Sequence, residues 1–348
     1  MKKEDASNKD IVILGILILV ILGFAIFAAV SAPKPLETGK LKDSKSSSLA
    51  PEFKDIAYWI NSDALKMSDL RGKVVLIDFW TYSCINCQRT LPYLKQWYEK
   101  YHDKGLVIIG VHSPEFSFEQ VKENVEAAIQ KEGIKYPVAM DNSMSTWRAF
   151  QNQYWPAKYF IDKEGKIRYY HFGEGAYLES EKIIQELLGI SESYVSTVPD
   201  NSGSAGQTPE TYLGYERAAN NKNRLVPEVA TEYSYAENLN SHEWTLLGKW
   251  SIHGEFAQSE SNDARIKIKF TGKELYIVAS GTSDSSTRVF HNGKLLQLQR
   301  GDDVLPSGTM VIKDARLYKI VKFSVPLKDQ EIEFVVPSGV KIHTFTFG

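Results

Sequence analysis

Cys84 and Cys87 are the only two cysteines in a chain of 348 residues, and two residues separate them in Thr81-Tyr82-Ser83-Cys84-Ile85-Asn86-Cys87. On the first turn of a helix, that spacing brings two sulfurs close enough to close a disulfide. The chemistry this suits is thiol–disulfide exchange: one thiolate attacks a disulfide and a second thiol resolves the mixed disulfide. Cys84, nearer the helix end, is the expected nucleophile. Cys87, one turn inward, is the expected resolving thiol, and the oxidised pair is a redox-active disulfide. A structural zinc site would need two further ligands, of which His112 is the nearest candidate, so neither a metal nor another cofactor is expected.

Three further residues sharpen this reading. Asp78 lies six residues before Cys84 within the apolar run Lys73-Val-Val-Leu-Ile-Asp-Phe-Trp80. Strand alternation points it inward beneath the cysteines, where burial raises a carboxyl pKa and lets it accept the proton of Cys87. Pro92, five residues after Cys87, sits inside the following helix and should bend its first turns. Trp155-Pro156, at the start of Trp155-Pro-Ala-Lys-Tyr-Phe-Ile-Asp162, reads as a proline opening a strand. It is a candidate cis bond that would lay Trp155 and its backbone beside the disulfide. Tyr82, Ile85, Asn86, Trp155 and Pro156 are therefore the expected substrate-binding residues. His112 ends the apolar run of Ile108-Ile-Gly-Val-His112, at a strand carboxyl end where α/β sites collect, and Glu115 follows it as a weaker candidate.

The elements that must position these groups are also legible. The run 73–80 is of the buried parallel-strand type, and Leu91, Leu94, Tyr98 and Tyr101 recur at helical spacing. Cys84 therefore falls at a helix amino terminus, where free N–H groups and the macrodipole favour a thiolate.

These residues resemble the thioredoxin superfamily. The resemblance implies that Asp78 is the buried proton acceptor and that Pro156 is cis. The segments LKMSDLRGKVVLIDFW and DKEGKI are similar to the membrane-linked TlpA-type branch, with Phe116 to Gly133 as that branch's extra helix. WTYSCINCQRTLPYL, GVHSPEF and TPETYLGYER resemble DipZ-type thiol-disulfide proteins, in which a carbohydrate-binding-like β-sandwich of jelly-roll type follows the thioredoxin-like domain. Such proteins carry a multi-span, CcdA-like electron-transferring module, whereas one apolar span is seen here. The resemblance thus implies a separate electron donor, such as a CcdA-like membrane protein, and disulfide-containing proteins as substrates. Ile85-Asn86 between the cysteines and Ser83 before them depart from thioredoxins, and so leave the direction of electron flow open.

The expected organisation follows from texture along the chain. Residues 1–10 form a tail. Residues 11–30 are twenty positions without a charge, about 30 Å as a helix, and are read as a retained single-span anchor rather than a cleaved signal peptide. Residues 31–52, with Pro33, Pro35 and Ser46-Ser-Ser48, form a flexible tether. Residues 53–190 alternate strand-like and helical periodicity, 191–206 are a linker, and 207–348 carry short alternating segments. Asn292-Gly293 marks a two-residue hairpin. The fold class expected is an α/β thioredoxin-like domain plus an all-β sandwich, placed outside the cytoplasm at the membrane. Trp244, Trp250, Tyr276 or Phe290 are the aromatics available to stack on a sugar, making a glycan the candidate ligand of 207–348.

Composition limits the alternatives. With 41 Lys+Arg against 43 Asp+Glu, the chain has no general attraction for phosphate backbones, so no nucleic-acid partner is expected. Two other classes compete with exchange: a cell-surface glycan-binding module on a thioredoxin-like scaffold, and a thiol peroxidase acting through Cys84.

Overall fold

The computed structural model describes residues 45, 47–191, 198, 206–236, 238–281 and 286–348. The tail, the anchor at 11–30, nearly all of the tether up to residue 46 and most of the linker lie outside the described residues. Among those that are described, no helix is long and apolar enough to cross a membrane.

The first half of the described chain is built on a six-stranded sheet. Its strands are β1 (Tyr58–Ile60), β2 (Val74–Trp80), β3 (Leu106–His112), β4 (Val138–Met140), β5 (Ala157–Ile161) and β6 (Ile167–Phe172), in the order β1-β4-β3-β2-β5-β6. β2, β3 and β4 run parallel, β5 pairs antiparallel with β2, and β6 pairs antiparallel with β5. Every residue of β2 is buried, because helices cover both faces of a central parallel strand. Its alternation decides the chemistry. Val74, Leu76 and Trp80 pack with α1 (Ile85–Tyr101), α2 (Lys122–Glu132) and α4 (Tyr177–Leu188) on one face. Val75, Ile77 and Phe79 pack on the other face, with Met67 and with Trp147 of α3 (Ser145–Ala149). Asp78 shares the parity of Leu76 and Trp80, so it points to the α1 side.

α1 buries Leu91, Leu94 and Tyr101 of the expected stripe, with Trp97 fully buried beside them and Tyr98 only partly so, and accommodates Pro92 inside the helix. The segment Phe116 to Gly133 is a short 3-10 turn, Ser117–Gln120, followed by α2.

Among the described residues of the second half, every regular element is a β-strand. Its strands are β7 (Thr211–Tyr212), β8 (Thr231–Tyr233), β9 (Trp244–Ile252), β10 (Ala257–Ser259), β11 (Ala264–Ser280), β12 (Ser286–His291), β13 (Lys294–Leu295), β14 (Thr309–Val311), β15 (Arg316–Val336) and β16 (Lys341–Phe347). The expected picture of short strands in two separate sheets is modified. β11 and β15 are 17 and 21 residues long and pair along most of their length. β11 also pairs with β9 through its first half and with β16 through its second, so the layers are joined by shared strands. Gly272 lies within β11, and the register with β15 shifts on either side of it. The Asn292-Gly293 hairpin forms as expected: Phe290 faces Leu295, His291 faces Lys294, and both turn residues have positive φ.

Candidate active site

Cys84 is the N-cap of α1 and is partly exposed, while Cys87 is buried one turn inward. Both thiols are free, and the Cys87 N–H donates to Cys84 Sγ at 3.2 Å. That contact aims a helix-terminal N–H at the outer sulfur, the position where negative charge is best stabilised. Burial pushes the Cys87 thiol well above its ordinary pKa, and Cys84 beside it adds to the rise.

Asp78 is 1% exposed on the same face of the sheet, and its Oδ1 has no hydrogen-bond partner. Burial raises its pKa to about 7, against the lowering pull of Lys158. Its charge also acts on Cys87, so the carboxyl lies within electrostatic reach of the inner thiol.

Lys158 is a residue that sequence reasoning missed. It stands directly across the β2–β5 ladder from Asp78 and is fully buried. Its Nζ lies 3.4 Å from the Gly173 carbonyl and 5.9 Å above the Tyr177 ring. Burial lowers its pKa, and Asp78 and Cys87 oppose that shift. A lysine two positions after a strand-opening proline, with the parity of the inner face, was the available signal.

The Trp155–Pro156 bond is cis. The Trp155 indole N–H donates to the Ser113 carbonyl at 3.0 Å, and the Pro156 carbonyl accepts from Gly173 N–H at 2.7 Å. Trp155, like the partly exposed Cys84, packs against the core on the α1 face of the sheet.

Glu119 is the second residue that was missed. Fully buried, it accepts from Ser83 Oγ at 2.6 Å and from the backbone N–H groups of Glu115 and Phe116 at 2.6 and 3.0 Å. Burial, followed by the neighbouring Glu115, raises its pKa to about 7. It ties the residue before Cys84 to the turn that precedes α2. No local pattern distinguished it from Glu115.

The remaining candidates are placed differently from expectation. Tyr82 is buried, donates its hydroxyl to the Ala315 carbonyl at 3.0 Å, and stacks on His112. Ile85 is 5% exposed and packs in an apolar cluster with Phe116 and with Tyr276, Val278 and Leu317 of the β-rich half. Neither offers the open contact surface expected of a substrate-binding residue, because the second half of the chain covers them. Asn86 is half-buried and accepts from Arg89 and, through its carbonyl, from Thr90.

His112 is buried and neutral, its pKa lowered to about 3 by burial, with Nε2 3.4 Å from Thr81 Oγ1. It packs behind the Cys84 loop. Glu115 pairs with Arg217 at 2.9 Å and accepts from Tyr212 at 2.7 Å, so it joins the halves of the molecule. Among the described residues, no group of three or more acidic, histidine or cysteine side chains could hold a metal. Of the aromatics considered for sugar stacking, Trp244, Trp250 and Tyr276 are buried, the first two in the core and Tyr276 in the interface. Phe290 alone is half-exposed, with Arg288 5.9 Å above its ring.

Comparison with known proteins agrees with this site. Residues 48–170 match the AhpC/TSA family, and residues 208–348 match the family described as thioredoxin like C-terminal domain. Protein DipZ of Mycobacterium tuberculosis (strain CDC 1551 / Oshkosh) is 37% identical over 315 residues, taking in 87% of this chain and 43% of that protein. Thiol-disulfide oxidoreductase YkuV of Bacillus subtilis is 28% identical over 142 residues, 41% of this chain and 95% of that one. Thiol-disulfide oxidoreductase ResA of Bacillus thuringiensis is 28% identical over 164 residues, 46% of this chain and 87% of that one. The chain spans less than half the length of the DipZ proteins it matches. A dithiol at a helix amino terminus and a buried carboxyl beneath it thus accompany matches on both halves: the chain is similar to DipZ over most of its length, and its first half is similar to the thiol-disulfide oxidoreductases YkuV and ResA.

Proposed function

We propose that this protein is a membrane-anchored enzyme that exchanges electrons with disulfides of extracytoplasmic proteins through Cys84 and Cys87. The observation that carries the reading is the pairing of a partly exposed N-cap thiol with a buried thiol above Asp78. Cys84, as thiolate, attacks one sulfur of a substrate disulfide, and the other substrate sulfur leaves. Cys87 gives its proton to the Asp78 carboxylate and attacks Cys84 Sγ, releasing the second substrate sulfur. Two electrons pass to the substrate, and Cys84 and Cys87 become a disulfide. A carboxyl with a pKa of about 7 is available in both protonation states near neutrality, so it can take the proton in one direction and return it in the other.

Lys158 across the ladder favours the carboxylate form of Asp78. The Trp155–Pro156 segment supplies a backbone edge beside Cys84 for an extended substrate chain. Residues 11–30 anchor the enzyme by a single span, and a separate donor, such as a CcdA-like membrane protein, returns two electrons to the disulfide. Cys84→Ser tests the assignment: disulfide reduction should be abolished, and retained turnover would refute the nucleophile. Cys87→Ser should accumulate mixed disulfides with substrate, visible as adducts on non-reducing gels.

A further inference from the structure

Beside the dithiol, a cleft of ≈ 580 Å³ opens between α1 and the β-rich half. Its floor is Ile85, Gln88 and Arg89, one face of α1 beginning at the residue next to Cys84. Its far wall is the outer surface of two paired strands. Lys273 and Glu274 come from β11, and Lys319 and Lys322 from β15, with Glu274 opposite Lys322 in register.

Cationic side chains outnumber acidic ones there. Arg89, Lys273, Lys319 and Lys322 line the cleft against Glu132 and Glu274, and Lys319 is paired with Asp302 at 3.2 Å outside the lining, which leaves Lys273 and Lys322 as the less engaged ammonium groups. Glu274 is already engaged, by Arg89 at 3.2 Å and by the Tyr276 hydroxyl at 2.5 Å, and Lys322 reaches it only at 3.9 Å. Lys273 forms no ion pair among the described residues, and the Lys322 side chain is 67% exposed. The cleft thus presents ammonium groups whose charge its own carboxylates do not neutralise. Val325, 56% exposed, adds an apolar rim.

Arg89 links this cleft to the other side of the dithiol. One arm of its guanidinium meets Glu274, and the other meets Glu174 at 3.5 Å. Glu174 adjoins Gly173, which is hydrogen-bonded to Pro156. With Ile85 and Tyr82 covered, a substrate at Cys84 has the Trp155–Pro156 edge on one flank and the cationic cleft on the other.

We propose that this cleft selects substrate polypeptides carrying acidic residues close to the disulfide that Cys84 attacks. From Ile85 to Arg89 the helix advances about 6 Å, roughly two residues of extended chain. The acidic positions are therefore those two to four residues from the substrate cysteine. The inference rests on Cys84 as nucleophile and adds the substrate class to it.

The test uses the full chain, reduced, with short peptides that each contain one intrachain disulfide flanked by Asp-Asp, Ser-Ser or Lys-Lys. The neutral hydroxyethyl disulfide serves as the reference substrate. The expected result is a kcat/KM for the Asp-flanked peptide about tenfold above that for the Lys-flanked one, shrinking as salt rises. The double substitution K273E with K322E should reverse that order while hydroxyethyl disulfide turnover and the melting temperature stay unchanged. Equal rates for the three peptides, or a preference that survives the double substitution, would overturn the inference while hydroxyethyl disulfide is still reduced. A preference seen only for small anionic disulfides would overturn it too. Failure of the unmodified chain to reduce any of these disulfides would overturn the nucleophile assignment together with it.

Discussion

Asp78 carries two pH dependences of different origin. In the proposed mechanism it must be ionised to accept the Cys87 proton, so resolution should accelerate through pH about 7, and Asp78→Asn should remove that limb of the pH–rate profile. In stability the sign is opposite. Its folded pKa is raised from 3.8 to about 7, so its contribution is complete below pH 3.8 and fades as pH rises through about 7. Glu119, raised to about 7 from 4.5, loses its contribution in a similar window. These two carboxyls therefore subtract stability as pH rises between about 4 and 8, opposed by buried His112, whose lowered pKa adds stability as pH rises towards 6.5, and Asp78→Asn should remove its own part of the slope, by ~4 kcal/mol at most. Denaturant titrations at pH 5 and pH 8 check this, and equal slopes in both proteins would contradict it. Glu119→Gln directs one amide N–H₂ towards the N–H groups of Glu115 and Phe116 or the Ser83 hydroxyl, and should cost about 1–3 kcal/mol of unfolding free energy.

The elements act through the alternation of their side chains. β2 sends Asp78 to the α1 face and its apolar neighbours Ile77 and Phe79 to the opposite one. β5 sends Lys158 to the α1 face from the other side of the ladder. Gly110 of β3 stands opposite Asp78 in register, and its missing side chain leaves room for Trp80. A Cβ there would lie 2.9 Å from Trp80 Nε1 and 3.2 Å from Tyr136 Cε2, both in the packed layer above the sheet. Gly110→Ala should therefore destabilise the domain by about 1–3 kcal/mol, measured by thermal or urea unfolding. In the β-rich half, Leu275, Ile277 and Ala279 of β11 enter that half's own core, while Tyr276 and Val278 face the thioredoxin-like domain. That strand is buried on both faces, which is why ELYIVAS reads as a continuous apolar run rather than an alternating one.

In the whole molecule, the interface of the two halves lies against the dithiol loop. Ile85 contributes an apolar side chain to it, worth about 1.5–3 kcal/mol for full burial, and Arg89 and Glu115 bracket it with ion pairs to Glu274 and Arg217. The β-rich half is therefore a wall of the active site as well as an appended module. Leu317→Asp places a carboxylate in that cluster from the β side without altering the dithiol loop. It should weaken the union of the halves by about 3 kcal/mol or more, seen in calorimetry as one unfolding transition separating into two. It should also render Ile85 accessible, seen as faster protease cleavage near the loop.

The sequence by itself determined which groups the proposed chemistry would use: two cysteines at i and i+3, a carboxyl six residues upstream on a strand, and a proline opening another strand. Each of these signals is local, because helix and strand periods of 3.6 and 2 residues fix which side chains share a face. It also announced the Asn292-Gly293 hairpin, since two positive-φ residues in a row favour that pair. What only the tertiary structure decided depends on contacts between distant positions. Tyr82 meets Ala315 across 233 residues and Arg89 meets Glu274 across 185, so no periodicity could show that Tyr82 and Ile85 are covered. Glu119 likewise looks like an ordinary surface charge until the chain folds back and removes water from around it. Burial and proximity give a titratable group its role, and both belong to the assembled fold.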